Sequence, residues 1–99
     1  MTQPGPAREA LTRDDLRRVL GIDDEFLLLL EEERICWPDP QGRYEPATVE
    51  RVRICWSLHH DLGVNLEGLE VAITLLERIR DERRQFRDVL AWLEQQLRR

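Results

Sequence analysis

Cys36, Cys55, His59 and His60 are the side chains best suited to metal or redox chemistry. Cys55 and His59 stand four residues apart, on one face if that stretch is helical, and Cys36 could approach from the segment before it. A structural zinc site wants a full set of four ligands, usually with a close cysteine pair, and this spacing does not supply one. Cysteine at apolar-face positions behaves as a small hydrophobe, and histidines near a helix C-terminus are accounted for by the helix dipole. The expectation is no metal and no cofactor, with a metal- or redox-responsive switch through Cys36 and Cys55 as a weaker alternative. A glycine-rich phosphate loop and a nucleophile elbow are both missing from the chain, so it is not expected to be an enzyme.

The stretch Asp23 to Arg34, DDEFLLLLEEER, carries a different chemistry. Five consecutive apolar residues at 100° per step surround a helix axis, and one small core covers only part of that circumference. Some of Phe26 to Leu30 should therefore lie near the surface, flanked by acids on both sides. An apolar strip rimmed by carboxylates complements a basic, partly apolar protein face. The partner-binding residues expected from this pattern are Asp23, Asp24, Glu31, Glu32 and Glu33 as charges, with Leu28 or Leu29 as the apolar anchor.

The elements that must position these residues can be read from local signals. Thr12 and Asp15 resemble a capping box. The helix they start places Leu16, Val19 and Leu20 on one face, and Gly21 suits a left-handed stop. Asp23 caps the next helix, with Ile22 and Leu27 spaced as a hydrophobic staple. Residues 12 to 34 thus form a helix-turn-helix pattern. Prolines between Trp37 and Pro46 forbid helix, and Gly42-Arg43-Tyr44 suits a small hairpin or wing. Pro46 opens a third helix whose apolar face runs through Val49, Val52, Cys55, Trp56, His59 and Leu62, ending at Gly63. Asn65 caps a fourth.

That last stretch has two apolar stripes out of phase, Leu66-Leu69-Ile73-Leu76-Ile79 and Phe86-Leu90-Leu93-Leu97. A continuous helix over 66–98 would be about 50 Å long, more than a small domain can cover. Either the helix breaks near residue 81 and folds back, or its end projects and packs on another subunit. The expected division is a loose tail over 1–10, a helix-turn-helix domain over 11–79, and a C-terminal extension over 80–99 that could dimerise.

At 99 residues the chain is one domain's worth. Fifteen basic residues, all arginine, face 20 acidic ones, a net charge of −5. Binding to nucleic acid needs a basic face to displace phosphate counterions. Here the helix that would enter the major groove presents Leu and Glu, while only Arg17, Arg18 and Arg43 could touch phosphates. The first ten residues lack an apolar signal, and the run Phe26 to Leu30 is far short of a membrane span. Free cysteines then fit a reduced, cytoplasmic setting.

Leu11 to Leu76 resembles the N-terminal winged-helix module of the MerR family, through Gly21-Ile22, the Gly42-Arg43-Tyr44 wing, and Asp61-Leu62-Gly63-Val64-Asn65-Leu66-Glu67-Gly68. The last segment is similar to two branches, the HspR heat-shock repressors and the CbpM chaperone modulators. DNA-binding relatives carry an Arg-Tyr-Tyr-Glu-like run on the recognition helix, where this chain has Leu28-Leu29-Leu30-Glu31 followed by Glu32 and Glu33. That departure favours the CbpM branch. The resemblance implies an all-α, MerR-like winged helix-turn-helix with a long C-terminal helix or helix pair. It also implies a partner, the J-domain of a CbpA-like (DnaJ-type) co-chaperone, whose stimulation of DnaK the protein would inhibit. A MerR- or HspR-like DNA-binding regulator is the alternative.

Overall fold

The computed structural model describes residues 10–98, so the tail expected over 1–10 lies, but for Ala10, outside the described residues. The order is β1 (Leu11–Thr12), α1 (Arg13–Leu20), α2 (Asp24–Glu32), β2 (Arg43–Tyr44), α3 (Pro46–Leu62) and α4 (Leu66–Leu97). The fold is all-α apart from one two-stranded ladder. β1 pairs antiparallel with β2, Leu11 opposite Tyr44 and Thr12 opposite Arg43. The segment around Gly42 is thus not a free-standing hairpin. Its strand is completed by the residues just before α1, which ties the wing to the helix-turn-helix.

Local chemistry sets each helix boundary. The Thr12 hydroxyl accepts from the Asp15 amide at 3.1 Å, and the Asp15 carboxylate accepts from the Thr12 amide at 3.0 Å, closing the capping box. Those bonds, led by the one from the Thr12 backbone, hold the Asp15 carboxyl below the usual carboxylate range. A depressed pKa stabilises the fold above the unfolded value and ceases to do so as pH falls through the folded value. The capping contribution should therefore disappear only in acid. Gly21 closes α1 at φ 69°, a left-handed conformation that side-chain-bearing residues adopt at a cost. Asp23 then accepts from the Phe26 amide at 2.8 Å and starts α2. α2 ends less conventionally, with Arg34 at φ 58° where glycine is usual, and this reversal lets Ile35 and Cys36 turn inward.

Pro46 sits in the first turn of α3, where a missing amide costs nothing. Gly63 ends α3, and the Asn65 side chain accepts from the Gly68 amide at 2.8 Å to start α4. A Cβ at Gly68 would stand 2.6 Å from the Val64 side chain, so the tight α3–α4 corner needs glycine there. The Gly-Val-Asn-Leu-x-Gly run is thus a structural corner: its residues stop one helix, cap the next and keep their crossing close.

The core gathers Leu16, Ile22, Phe26, Leu27, Leu30, Tyr44, Val49, Val52, Cys55, Leu69 and Ile73. Ile22 and Leu27 are both fully buried, in the positions of a staple. Val19 and Leu62, assigned to apolar faces by periodicity, are instead 57% and 72% exposed. Each lies one turn or less from a helix end, where the chain turns away before a neighbour can cover it. Tyr44 is buried, yet its hydroxyl has no hydrogen-bond partner. Burial raises its pKa, partly opposed by the nearby Arg13 guanidinium. A raised folded-state pKa stabilises below the unfolded value and is lost as pH climbs through it, so stability should fall in alkali beyond about pH 10. Tyr44→Phe should remove that alkaline loss and should change stability at pH 7 by no more than about 1 kcal/mol, because the gain from deleting a poorly paired buried hydroxyl is offset by the loss of its attraction to Arg13. Urea midpoints at pH 7 and pH 10.5 test both.

α4 is one unbroken helix of 32 residues, about 48 Å long. Of the two courses open to the sequence, a break near residue 81 does not occur; the end projects. Leu69 and Ile73 reach the core and Leu66 and Leu76 pack against it, while Ile79 is already exposed. Beyond Arg80 every described residue is exposed. Among the described residues, no helix is long and apolar enough to cross a membrane.

Candidate functional site

Cys36 and Cys55 are free, buried and in contact with each other. Hydrogen bonding to Cys55, and then burial, push the Cys36 thiol far above its ordinary range. The thiolate is the reactive form of cysteine. The same contact lowers the Cys55 thiol, so burial is what shields both: folded protein should resist a thiol reagent at neutral pH and label fully in denaturant, with the folded rate tracking unfolding. Among the described residues, no three His, Cys, Asp or Glu side chains gather as a metal site requires. His59 and His60 are engaged with aromatic rings: His59 stacks on Phe26 at 5.1 Å and His60 on Trp56 at 4.8 Å.

The acidic helix α2 divides its charges between two flanks. On the α1 side, Glu31 pairs with Arg13 at 2.7 Å and Asp24 with Arg17 at 3.3 Å. These carboxylates are neutralised by their own fold. Arg17 and Arg18 are correspondingly occupied, pairing also with Asp14 and with Asp14 and Asp15 respectively. On the α3 side, Glu25 and Glu32 have no ion-pair partner among the described residues. Helical geometry puts them two turns apart on one face, with Leu29 between.

Leu28 lies on the crest between the flanks and is 47% exposed, whereas Leu29 is half-buried and Phe26, Leu27 and Leu30 belong to the core. The apolar run is thus covered on most of its circumference, and only its crest faces solvent. Asp23 spends one carboxylate oxygen on the Phe26 amide as a helix cap. Glu33 is the exposed C-cap of α2. Of the residues expected to bind a partner, the structure brings Asp23, Leu29 and Glu32 together, with Leu28 on the adjoining crest. It ties Asp24 and Glu31 to α1.

Between α2 and α3 runs a groove of about 290 Å³. Asp23, Glu25 and Glu32 stand on it from α2, and Phe26, Leu29, Trp56 and His59 complete its walls. Phe26 meets Trp56 edge to face at 5.1 Å, which fixes the indole across the helix pair. The His59 ring is held by its Nδ1 contact of 2.9 Å to the Val64 carbonyl beyond the end of α3. Glu25, Trp56 and His59 were missed as site residues, because nothing local shows that α3 lies alongside α2. A larger recess of about 460 Å³ lies between the Arg34–Trp37 loop, α3 and α4. Its Arg51 and Glu77 pair with each other at 3.4 Å, leaving that wall largely self-satisfied.

The family model of the MerR HTH regulatory proteins matches residues 11–89. Two relatives from Coxiella burnetii, strains Dugway 5J108-111 and RSA 331 / Henzerling II, are each named chaperone modulatory protein CbpM. This chain is similar to both, 24% identical over 70 residues, a stretch covering 67% of this chain and 66% of each relative. The chain thus spans slightly less than two-thirds of the length of the curated relatives it matches. No solved structure matches.

Proposed function

The chain belongs to the MerR HTH regulatory-protein family, and from that premise we propose that it acts as a chaperone modulator through protein contact, not as a reader of DNA. One observation carries the reading. α2 occupies the place of the recognition helix, and its solvent face is Glu25, Leu28 and Glu32. Phosphate would repel that face, and none of those side chains can donate a hydrogen bond to a base edge. Of the three arginines that could touch the backbone, Arg17 and Arg18 are already paired with Asp14, Asp15 and Asp24, which leaves Arg43 on β2. The likeness to the two CbpM proteins supports the same conclusion.

The partner we propose is the J-domain of a CbpA-like co-chaperone, which offers a basic helix to DnaK. The acidic, partly apolar α2 surface is its complement, and covering that helix would block stimulation of DnaK. No step in this action requires catalysis. Calorimetric titration into the J-domain should show saturable binding that weakens as salt rises. Absence of binding at low and moderate salt, together with a gel shift on duplex DNA, would replace this reading with the DNA-binding one.

The division we propose places the helix-turn-helix domain at residues 11–79 and a pairing segment at 80–99. Ile79, Phe86, Leu90, Leu93 and Leu97 form a seam along the projecting part of α4, with Arg83 interrupting it. A parallel pair would set Arg83 against its own copy inside the seam. An antiparallel pair centred near Asp88 sets it against Leu93 instead, and Phe86 against Leu90. The second copy in an antiparallel dimer is therefore the occupant we assign to this face.

A further inference from the structure

The α2–α3 groove has a composition that the charge of α2 alone does not explain. Its walls are flat rings, Trp56 and His59, held in place by Phe26 and by the Val64 carbonyl, and its rim is acidic. Glu25 and Glu32, unlike Asp24 and Glu31, are left without an internal cation among the described residues. A volume of about 290 Å³ is too small for a helix and of the right order for one long side chain.

We propose that this groove receives a single arginine side chain of the protein partner, its guanidinium lying against the Trp56 and His59 rings and paired with Glu25 or Glu32. The inference rests on the protein-contact reading above and names the group that contact recognises. Arginine fits better than lysine for a physical reason. Its guanidinium is planar, weakly hydrated and forked, so it stacks on a ring and meets a carboxylate at its edge together. The compact, strongly hydrated ammonium of lysine gains less from a flat aromatic wall. Leu29 completes the groove by packing the aliphatic stem of the guest. The other flank of α2 is turned to α1, where Glu31 and Asp24 meet Arg13 and Arg17.

The test uses the full chain labelled with 15N and titrated with N-acetyl-L-argininamide, with N-acetyl-L-lysinamide in parallel. The Trp56 indole N–H should shift saturably in the millimolar range, at least about threefold more tightly for the arginine analogue. The Glu25→Gln/Glu32→Gln variant, altered only at exposed positions, should bind about tenfold more weakly. Leu29→Arg, which fills the groove from within, should abolish saturation. Linear, unsaturated shifts, or a response unchanged in both variants, would overturn the proposal. Titration of the same proteins into the J-domain separates the two readings. Equal J-domain affinity for wild type and E25Q/E32Q overturns the groove as the contact and leaves the modulator function standing. Saturable argininamide binding by a wild type that ignores the J-domain upholds the arginine site and removes the J-domain as its source.

Discussion

Replacing Leu90 and Leu93 together by aspartate is expected to abolish the proposed pairing of copies and to fray α4 beyond Arg80. Both leucines are exposed, at 44% and 42%, on a helix that touches nothing else past that point. In a pair of copies only the two-fifths or so of each leucine that is still exposed can be covered, so the double change removes roughly 0.6–1.3 kcal/mol for each of four leucines, or roughly 2.5–5 kcal/mol in all. Four carboxylates set into an apolar seam add a desolvation cost of their own, and against a micromolar association of about 8 kcal/mol the combined loss should leave no dimer. Helices shorter than about 12–15 residues are marginal in water, and the projecting half gains only from continuing an existing helix. Sedimentation should report the mass change, and amide exchange should quicken beyond Arg80 while Leu69 and Ile73 stay protected. A variant that remains dimeric places the association elsewhere. A wild type that is monomeric at high concentration removes the pairing altogether.

Reversing Glu25 and Glu32 to arginine is expected to weaken J-domain binding by about 30-fold, about 2 kcal/mol, and to flatten its dependence on salt. The effect should be large because these two carboxylates face the groove without an internal partner, so a docked cation loses its attraction and meets repulsion in the same place. Glu31→Gln is the contrasting variant. Its carboxylate is already bound to Arg13, and a half-exposed pair of this kind is worth about 0–1 kcal/mol. Its binding should change by less than about threefold, with a small loss of stability. The reverse ranking would move the contact to the α1-facing flank of α2. Equal, negligible effects would move it off α2 and onto the projecting helix.

The contrast between those variants could not have been drawn from the order of residues. Asp23, Asp24, Glu25, Glu31, Glu32 and Glu33 are equivalent as an acidic pattern, and Asp24 and Glu31 looked as available as Glu32. What separates them is which neighbour each meets: α1 brings Arg13 and Arg17 to one flank, and α3 brings Trp56 and His59 to the other. Periodicity alone places Trp56 and His59 on an apolar helix face. They do pack on Phe26, and the side they leave open becomes the wall of the groove.

The sequence by itself determined the helices and their ends. Thr12 with Asp15, Gly21, Asp23, Pro46, Gly63 and Asn65 act within about one helical turn, so their hydrogen bonds and backbone angles are settled by near neighbours. It also determined that five consecutive apolar residues could not all be internal, since that follows from 100° per residue alone. Only the tertiary structure decided that Leu28 is the exposed one, that Leu11–Thr12 completes the strand at Arg43–Tyr44, and that α4 runs unbroken past the core. The first two depend on segments distant in the chain coming into contact, and the third on no such segment meeting the helix beyond Arg80. Their outcome rests on which surfaces fit together, a quantity that no local spacing encodes.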